Sequence, residues 1–209
     1  MSMDKLYTLI DDFYSDPYQV RKQALETSYF PIKESTKHLN VKGPWPGKIS
    51  KDCYKPTDLD TRVSKALGKI VSSSPPKLGI SGFFRISKET DYSATFCHID
   101  GVTELLGNRQ YAGVLYLTDT GDANIQGTIF HRHNKFDLTK IETILQYKKV
   151  ENDFDKKEQW DVIDSVNYKF NRLVIYDAST VHSIGPLFGD YDSTARLTQI
   201  FIFNEISHD

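Results

Sequence analysis

A mostly β fold, with a jelly-roll core packed against N-terminal helices, is what this sequence predicts, on three observations. From about residue 78 the chain breaks into short aromatic and β-branched runs separated by Gly, Asp, Asn and Pro. Those are the marks of strands and the turns between them. Upstream, two stretches carry apolar residues at helical spacing instead. The order is therefore helices first, then strands, and the strand count suits a double-stranded β-helix, or jelly roll.

Taken in order, KLYTLIDDFY (residues 5–14) is mixed and apolar and reads as a short strand. Asp16-Pro17 then reads as an N-cap followed by proline at the first helical position. The helix runs through YQVRKQALETS, with Val20, Ala24 and Leu25 on one face. Residues 28–56 hold Pro31, Pro44, Pro46 and Pro56 with Gly43 and Gly47, so they read as loop, with Trp45 in a segment that could be a lid or a connector. A second helix is expected over about 57–72, where Val63, Ala66, Leu67 and Ile70 recur at helical spacing. The expected strands are LGISGFFRIS, SATFCHID, YAGVLYLTD, GTIFHRH, NRLVIYDAS and ARLTQIFIF. Residues 134–170 interrupt them as a charged, partly helical insertion. The expected organisation is one domain over 1–209, with 1–78 a helical support and 79–209 the jelly-roll core.

Composition narrows the function. With 39% hydrophobic and 12% aromatic residues the chain can build a core. Its 26 basic and 28 acidic residues leave a net charge of −2, which argues against general nucleic-acid binding. No apolar stretch reaches the roughly 20 residues of a membrane helix. The N-terminus lacks a basic region followed by a long apolar run, so no signal peptide is expected. Two cysteines, Cys53 and Cys97, are too few for a disulfide framework and read as free thiols. A cytoplasmic protein is the expectation.

The chemistry begins at His98-Ile99-Asp100. On a strand, residues two apart share a face, so His98 and Asp100 project side by side. Alone, this common tripeptide reads better as a surface strand end. His182 follows another apolar strand, 84 positions on, after a turn-like DAST segment. Two histidines and a carboxylate make a facial triad that leaves coordination positions open and suits non-haem Fe(II). Arg196 opens the next strand, ARLTQIFIF, where a buried charge requires a partner. Thr198 shares its face, and a guanidinium there can grip a carboxylate through two parallel hydrogen bonds.

As a set, His98, Asp100, His182 and Arg196 resemble, in order and approximate spacing, the Fe(II)/2-oxoglutarate-dependent oxygenases of the prolyl-hydroxylase-like branch. The resemblance covers about residues 79–204. YAGVLYLTD is similar to the family strand whose tyrosine helps bind the co-substrate, which points to Tyr116. IQGTIF is similar to its Gly-Gly-X-Thr-X-Phe strand, with Thr128 and Phe130 in place. Tyr92 is a further candidate near the keto-acid end of the co-substrate. Departures are Ile125-Gln126 in place of a glycine pair, the long interval from His182 to Arg196, and the 134–170 segment. They loosen the link to prolyl substrates. The resemblance implies an Fe(II)- and 2-oxoglutarate-dependent dioxygenase hydroxylating a peptidyl or free amino acid or other small substrate. It implies O2 as oxidant, allows ascorbate as an addition, and makes His98, Asp100 and His182 catalytic metal ligands with Arg196, Tyr116, Thr198 and Tyr92 around the co-substrate. Two other readings stay open: a non-catalytic jelly-roll binding module, and a cupin-type metal enzyme using His131 and His133.

Overall fold

The computed structural model describes residues 5–31, 46–73, 81–91, 96–121 and 124–206. Tyr92 and Trp45 lie outside these residues. Among the described residues, eleven strands form two antiparallel sheets, the architecture of a jelly roll. The major sheet runs in the order β1 (Tyr7–Ile10), β9 (Leu173–Asp177), β6 (Gln110–Tyr116), β11 (Arg196–Glu205), β5 (Phe83–Ser87), β3 (Lys48–Cys53), β2 (Tyr29–Pro31), with β4 (Val71–Ser73) also paired to β11. The minor sheet is β10 (His182–Ile184), β7 (Gln126–His133) and β8 (Trp160–Asn167). No helix among the described residues is long and apolar enough to cross a membrane.

Helix α1 (Pro17–Glu26) starts as its sequence requires: the Asp16 carboxylate accepts from the Gln19 amide at 3.0 Å, and Pro17 occupies the first turn. It buries Val20 and Ala24. Helix α2 (Leu59–Leu67) is shorter than expected, because Gly68 takes a left-handed φ of 66° and caps it. Ile70 therefore falls beyond the helix and is exposed. Among the described residues the further α-helices are α3 (Thr103–Leu106) and α4 (Ile144–Val150).

Two further expectations are corrected. The region 28–56 contains strands β2 and β3, at the sheet edge where prolines at strand ends cost no ladder bond. The segment 134–170 carries α4 but also β8, which pairs with β7 over Gln126–His133 and so belongs to the minor sheet. Its exposed, acidic outer face hid it, since little of the strand is buried. The expected strand SATFCHID is reduced, among its described residues, to a single bridge between His98 and His182.

The alternation of β11 organises the interior. Leu197, Phe201 and Phe203 face the helices and pack with Phe13, Val20, Ala24, Leu59 and Val63. Arg196, Thr198 and Ile200 face the space between the sheets. A second cluster includes Tyr116, Phe130, Tyr168, Val174 and Tyr176. Cys97, Ile141, Val150, Trp160 and Val181 form a third, so Cys97 is a packing residue and burial pushes its thiol up.

Candidate metal centre

His98, Asp100 and His182 converge, with one ligand atom from each lying within 4.8 Å of the others. The His182 Nε2 to Asp100 Oδ2 distance is 3.5 Å and the His98 Nε2 to Asp100 Oδ1 distance is 4.0 Å. A two-way backbone bridge draws the histidines together: each amide donates to the other's carbonyl, at 2.8 and 2.9 Å. Their ring centroids stand 4.2 Å apart.

One turn holds both arms of the cluster. Asp177, at the end of β9, accepts from the Ser179 amide and hydroxyl at 3.0 and 2.7 Å and from Arg109 Nε at 2.6 Å. This shapes residues 177–180 into an Asx turn. The Ala178 carbonyl then accepts from the amides of Asp100 and Gly101, at 2.9 and 3.0 Å. The Thr180 carbonyl faces His182 Nδ1 at 2.9 Å. A carbonyl can only accept, so Nδ1 carries the proton and Nε2 presents its lone pair to the cluster. Tyr176 Oη lies 3.0 Å from that nitrogen. Burial, then the neighbouring His182 and Arg85, push His98 well below its usual pKa. That direction favours the neutral imidazole, the form that binds metal.

From the cluster a cavity runs between the sheets to Arg196, which is 3% exposed. Arg196 Nη2 donates to the Gly127 carbonyl at 2.9 Å, and its guanidinium lies over the rings of Tyr116 and Tyr168. Its Nε and the hydroxyl of Thr198 are both buried without a hydrogen-bond partner. Burying such atoms unpaired is costly, and a carboxylate seated there would satisfy both.

Tyr116 stands behind this wall. Its hydroxyl bonds to Thr128 Oγ1 at 2.7 Å, its ring stacks on Tyr168, and Thr128 is the residue lining the cavity. Gly127 explains the displaced glycine: a Cβ there would lie 2.5 Å from Tyr116. The structure also adds cavity residues that sequence reasoning gave no role, namely Arg85, Tyr176 and Ser183. Arg85 and Tyr176 are polar residues within largely apolar strands, which is the signal that could have found them; Ser183, in the short strand His182–Ile184, carries no such signal.

His131 and His133 do not join the cluster. His131 Nε2 bonds to Ser183 Oγ at 2.8 Å. His133 accepts at Nδ1 from the amides of Lys135 and Phe136 and bonds through Nε2 to Asp153 at 3.3 Å. The two face different partners, and His133 serves as a turn cap, which removes the basis for a cupin-type pair.

The two-sheet fold with its His-X-Asp and distal His thus defines a jelly-roll protein with a candidate facial metal site. The chain belongs to a family of unknown function, DUF6445, whose profile matches residues 3–198. No curated protein matches it. Among solved structures it is similar to the non-haem α-ketoglutarate-dependent epimerase SnoN of nogalamycin biosynthesis, at 13% identity and a TM-score of 0.52, over 96% of this chain and 78% of that one. The carbocyclase SnoK of the same biosynthesis matches at 10% identity and 0.52, over 97% and 81%. Iron-bound HygX from Streptomyces hygroscopicus matches at 9% identity and 0.52, over 96% and 82%. At these identities the likeness is one of fold.

Proposed function

We propose that the protein is an Fe(II)- and 2-oxoglutarate-dependent dioxygenase that hydroxylates an amino acid, free or peptidyl, or another small substrate. The observation that carries this reading is the pairing of two features in one cavity: three ligand atoms that converge at one end, and the unpartnered Arg196 Nε and Thr198 Oγ1 on its wall. The donor set fits Fe(II), since two imidazoles and one carboxylate on one side leave positions for a chelating 2-oxo acid and O2. Bound there, Fe(II) with 2-oxoglutarate and O2 supplies the oxidising chemistry, the co-substrate leaving as succinate and CO2.

This chain's own contributions follow from its geometry. His98, Asp100 and His182 hold the metal. The Thr180 carbonyl fixes the His182 tautomer so that Nε2 is available. Arg196 and Thr198 grip the far carboxylate of the co-substrate, and the Gly127 carbonyl with the two tyrosine rings keeps the guanidinium aimed. Ala112, Val114, Ile184 and Ile200 supply dry walls that strengthen these contacts.

The test is spectroscopic and kinetic. Fe(II) and 2-oxoglutarate added without oxygen should give the weak visible charge-transfer band of the chelate, and oxygen should then release succinate. His182→Ala should abolish both. A wild-type protein that retains no metal would favour a non-catalytic binding module, and full turnover in His182→Ala would remove that residue from the metal site.

A further inference from the structure

Tyr176 lines the same cavity and has no part in that scheme. It belongs to the fully buried strand β9, where it shares a face with Val174. Its ring packs edge-on against Phe130, centroids 5.5 Å apart, and lies 4.5 Å from the ring of His182. Phenylalanine would fill that place as well. The hydroxyl is a polar group carried into an apolar strand, and such a group needs a partner.

The position of the hydroxyl narrows the choice of partner. Oη is 3.0 Å from His182 Nε2, and Nε2 is 3.5 Å from Asp100 Oδ2. The other carboxylate oxygen, Oδ1, lies on the side of His98, 4.0 Å from its Nε2. Tyr176 thus stands towards the Oδ2 end of Asp100. Burial first, then the charge of Asp100, raise the Tyr176 hydroxyl well above its usual pKa, so it keeps its proton and can donate. Once a metal takes the Nε2 lone pair, that nitrogen no longer serves the hydroxyl. Among the described residues lining the cavity, Asp100 is the carboxylate. A hydrogen bond to an ionised acceptor is roughly twice as strong as one between neutral groups.

We propose that Tyr176 is a positioning residue for the metal centre: its hydroxyl donates to Asp100 Oδ2, so that the carboxylate offers Oδ1 alone to the metal and the remaining positions stay open. This rests on the dioxygenase reading and deepens it. Tyr176 acts through Asp100 and touches neither co-substrate nor substrate.

The experiment uses the full chain with Ni(II) as the probe, since such a site holds Ni(II) more tightly than Fe(II). A wild-type protein that binds neither Ni(II) nor 2-oxoglutarate overturns the dioxygenase reading together with this one. Tyr176→Phe keeps the ring and its packing and removes the hydroxyl. Its Ni(II) affinity should fall by about 10–100-fold, as for other outer partners of metal ligands. The 2-oxoglutarate affinity of the Ni(II)-saturated variant should stay within threefold of wild type. In an Asp100→Ala background the same change should cost less than twofold in Ni(II) affinity. With Fe(II) and 2-oxoglutarate under anaerobic conditions, the visible charge-transfer band of Tyr176→Phe should move to longer wavelength, because a carboxylate freed of its hydrogen bond gives more charge to the iron. Unchanged Ni(II) affinity, an unmoved band, or an equal loss in the Asp100→Ala background overturns the assignment. A tenfold loss of 2-oxoglutarate affinity with Ni(II) binding intact also overturns it, by giving Tyr176 to the co-substrate. So does an intense visible band in the Fe(III)-loaded wild type that Tyr176→Phe lacks, which would make Tyr176 itself a ligand.

Discussion

Gly127→Ala tests the wall on which Arg196 rests. The added Cβ would stand 2.5 Å from both Cζ and Oη of Tyr116 and 2.8 Å from its Cε2. Tyr116 cannot step aside cheaply: it is fully buried, its ring is stacked on Tyr168 at 4.4 Å, and its hydroxyl is bonded to Thr128 at 2.7 Å. Overpacking of this kind costs about 1–3 kcal/mol. Displacing the buried hydroxyl from its partner adds about 1–3 kcal/mol. Relief of the glycine entropy cost in a strand returns about 0.5–1 kcal/mol. The expected net loss is about 3 kcal/mol, or roughly 6–12 °C in Tm for a chain of this size. Calorimetry or urea titration measures it. Because the Gly127 carbonyl also holds Arg196, 2-oxoglutarate affinity should fall with stability. Tyr116→Leu removes the ring that clashes, so the double variant should be less destabilised than the two single losses added together. A Tm for Gly127→Ala within 2 °C of wild type (about 0.5–1 kcal/mol) would refute the packing argument, and simple additivity in the double variant would refute its assignment to Tyr116.

Two other predictions concern the N-terminal segment. Asp11 is paired with Arg172 at 2.6 Å and Lys169 at 2.9 Å, and the Arg172 hydrogen bond leads in holding its carboxyl down to about 2 from the usual 3.8. A depressed folded-state pKa stabilises above the unfolded value, so this contribution is complete above about pH 4 and is lost as pH falls through 2. The side chain is 36% exposed, so screening reduces it to about 1 kcal/mol. Asp11→Asn should remove that acid-dependent part, and an unchanged stability difference between pH 6 and pH 3 would rule the pair out. Asn171 takes a φ of 63° and clamps Tyr14 through both its amide and its carbonyl, each at 2.8 Å. Asn171→Ala should cost about 2–4 kcal/mol and Asn171→Gly about 1 kcal/mol less, since glycine tolerates that backbone. Equal losses in the urea midpoints would show that the left-handed conformation contributes nothing.

How far the sequence could be read depended on whether a residue's role lay in its own periodicity or in its pairing. ARLTQIFIF shows its alternation openly, so Arg196 and Thr198 could be placed on one face, and the structure puts both in the cavity. His98 and Asp100 follow from the same two-residue period. Arg85 sits just as visibly in FFRIS, yet its place in the cavity arises from standing opposite Thr198, and register between distant strands is not written in either strand. Edge strand β2 and its neighbour β3 were hidden by the prolines, glycines and lysines in and around them, which the margin of a sheet tolerates. Strand β8 was hidden by its acidic exposed face, and α2 was overextended because Ile70 fits the helical spacing past the point where Gly68 ends it.

The deepest part of the site was illegible for a different reason. DAST reads correctly as a turn, but what it does is done by backbone carbonyls. The Ala178 oxygen holds the chain at Asp100 and Gly101, and the Thr180 oxygen sets the His182 tautomer. Neither function constrains the side chain at its own position, so neither leaves a mark in the sequence. The one residue that does carry information is Asp177, whose carboxylate braces the turn through Ser179 and Arg109. Two candidate ligands 82 positions apart, Asp100 and His182, are therefore aligned by a four-residue turn together with the His98–His182 backbone bridge. Main-chain oxygens held by the surrounding sheet thus help to bring the three candidate ligand atoms within 4.8 Å of one another.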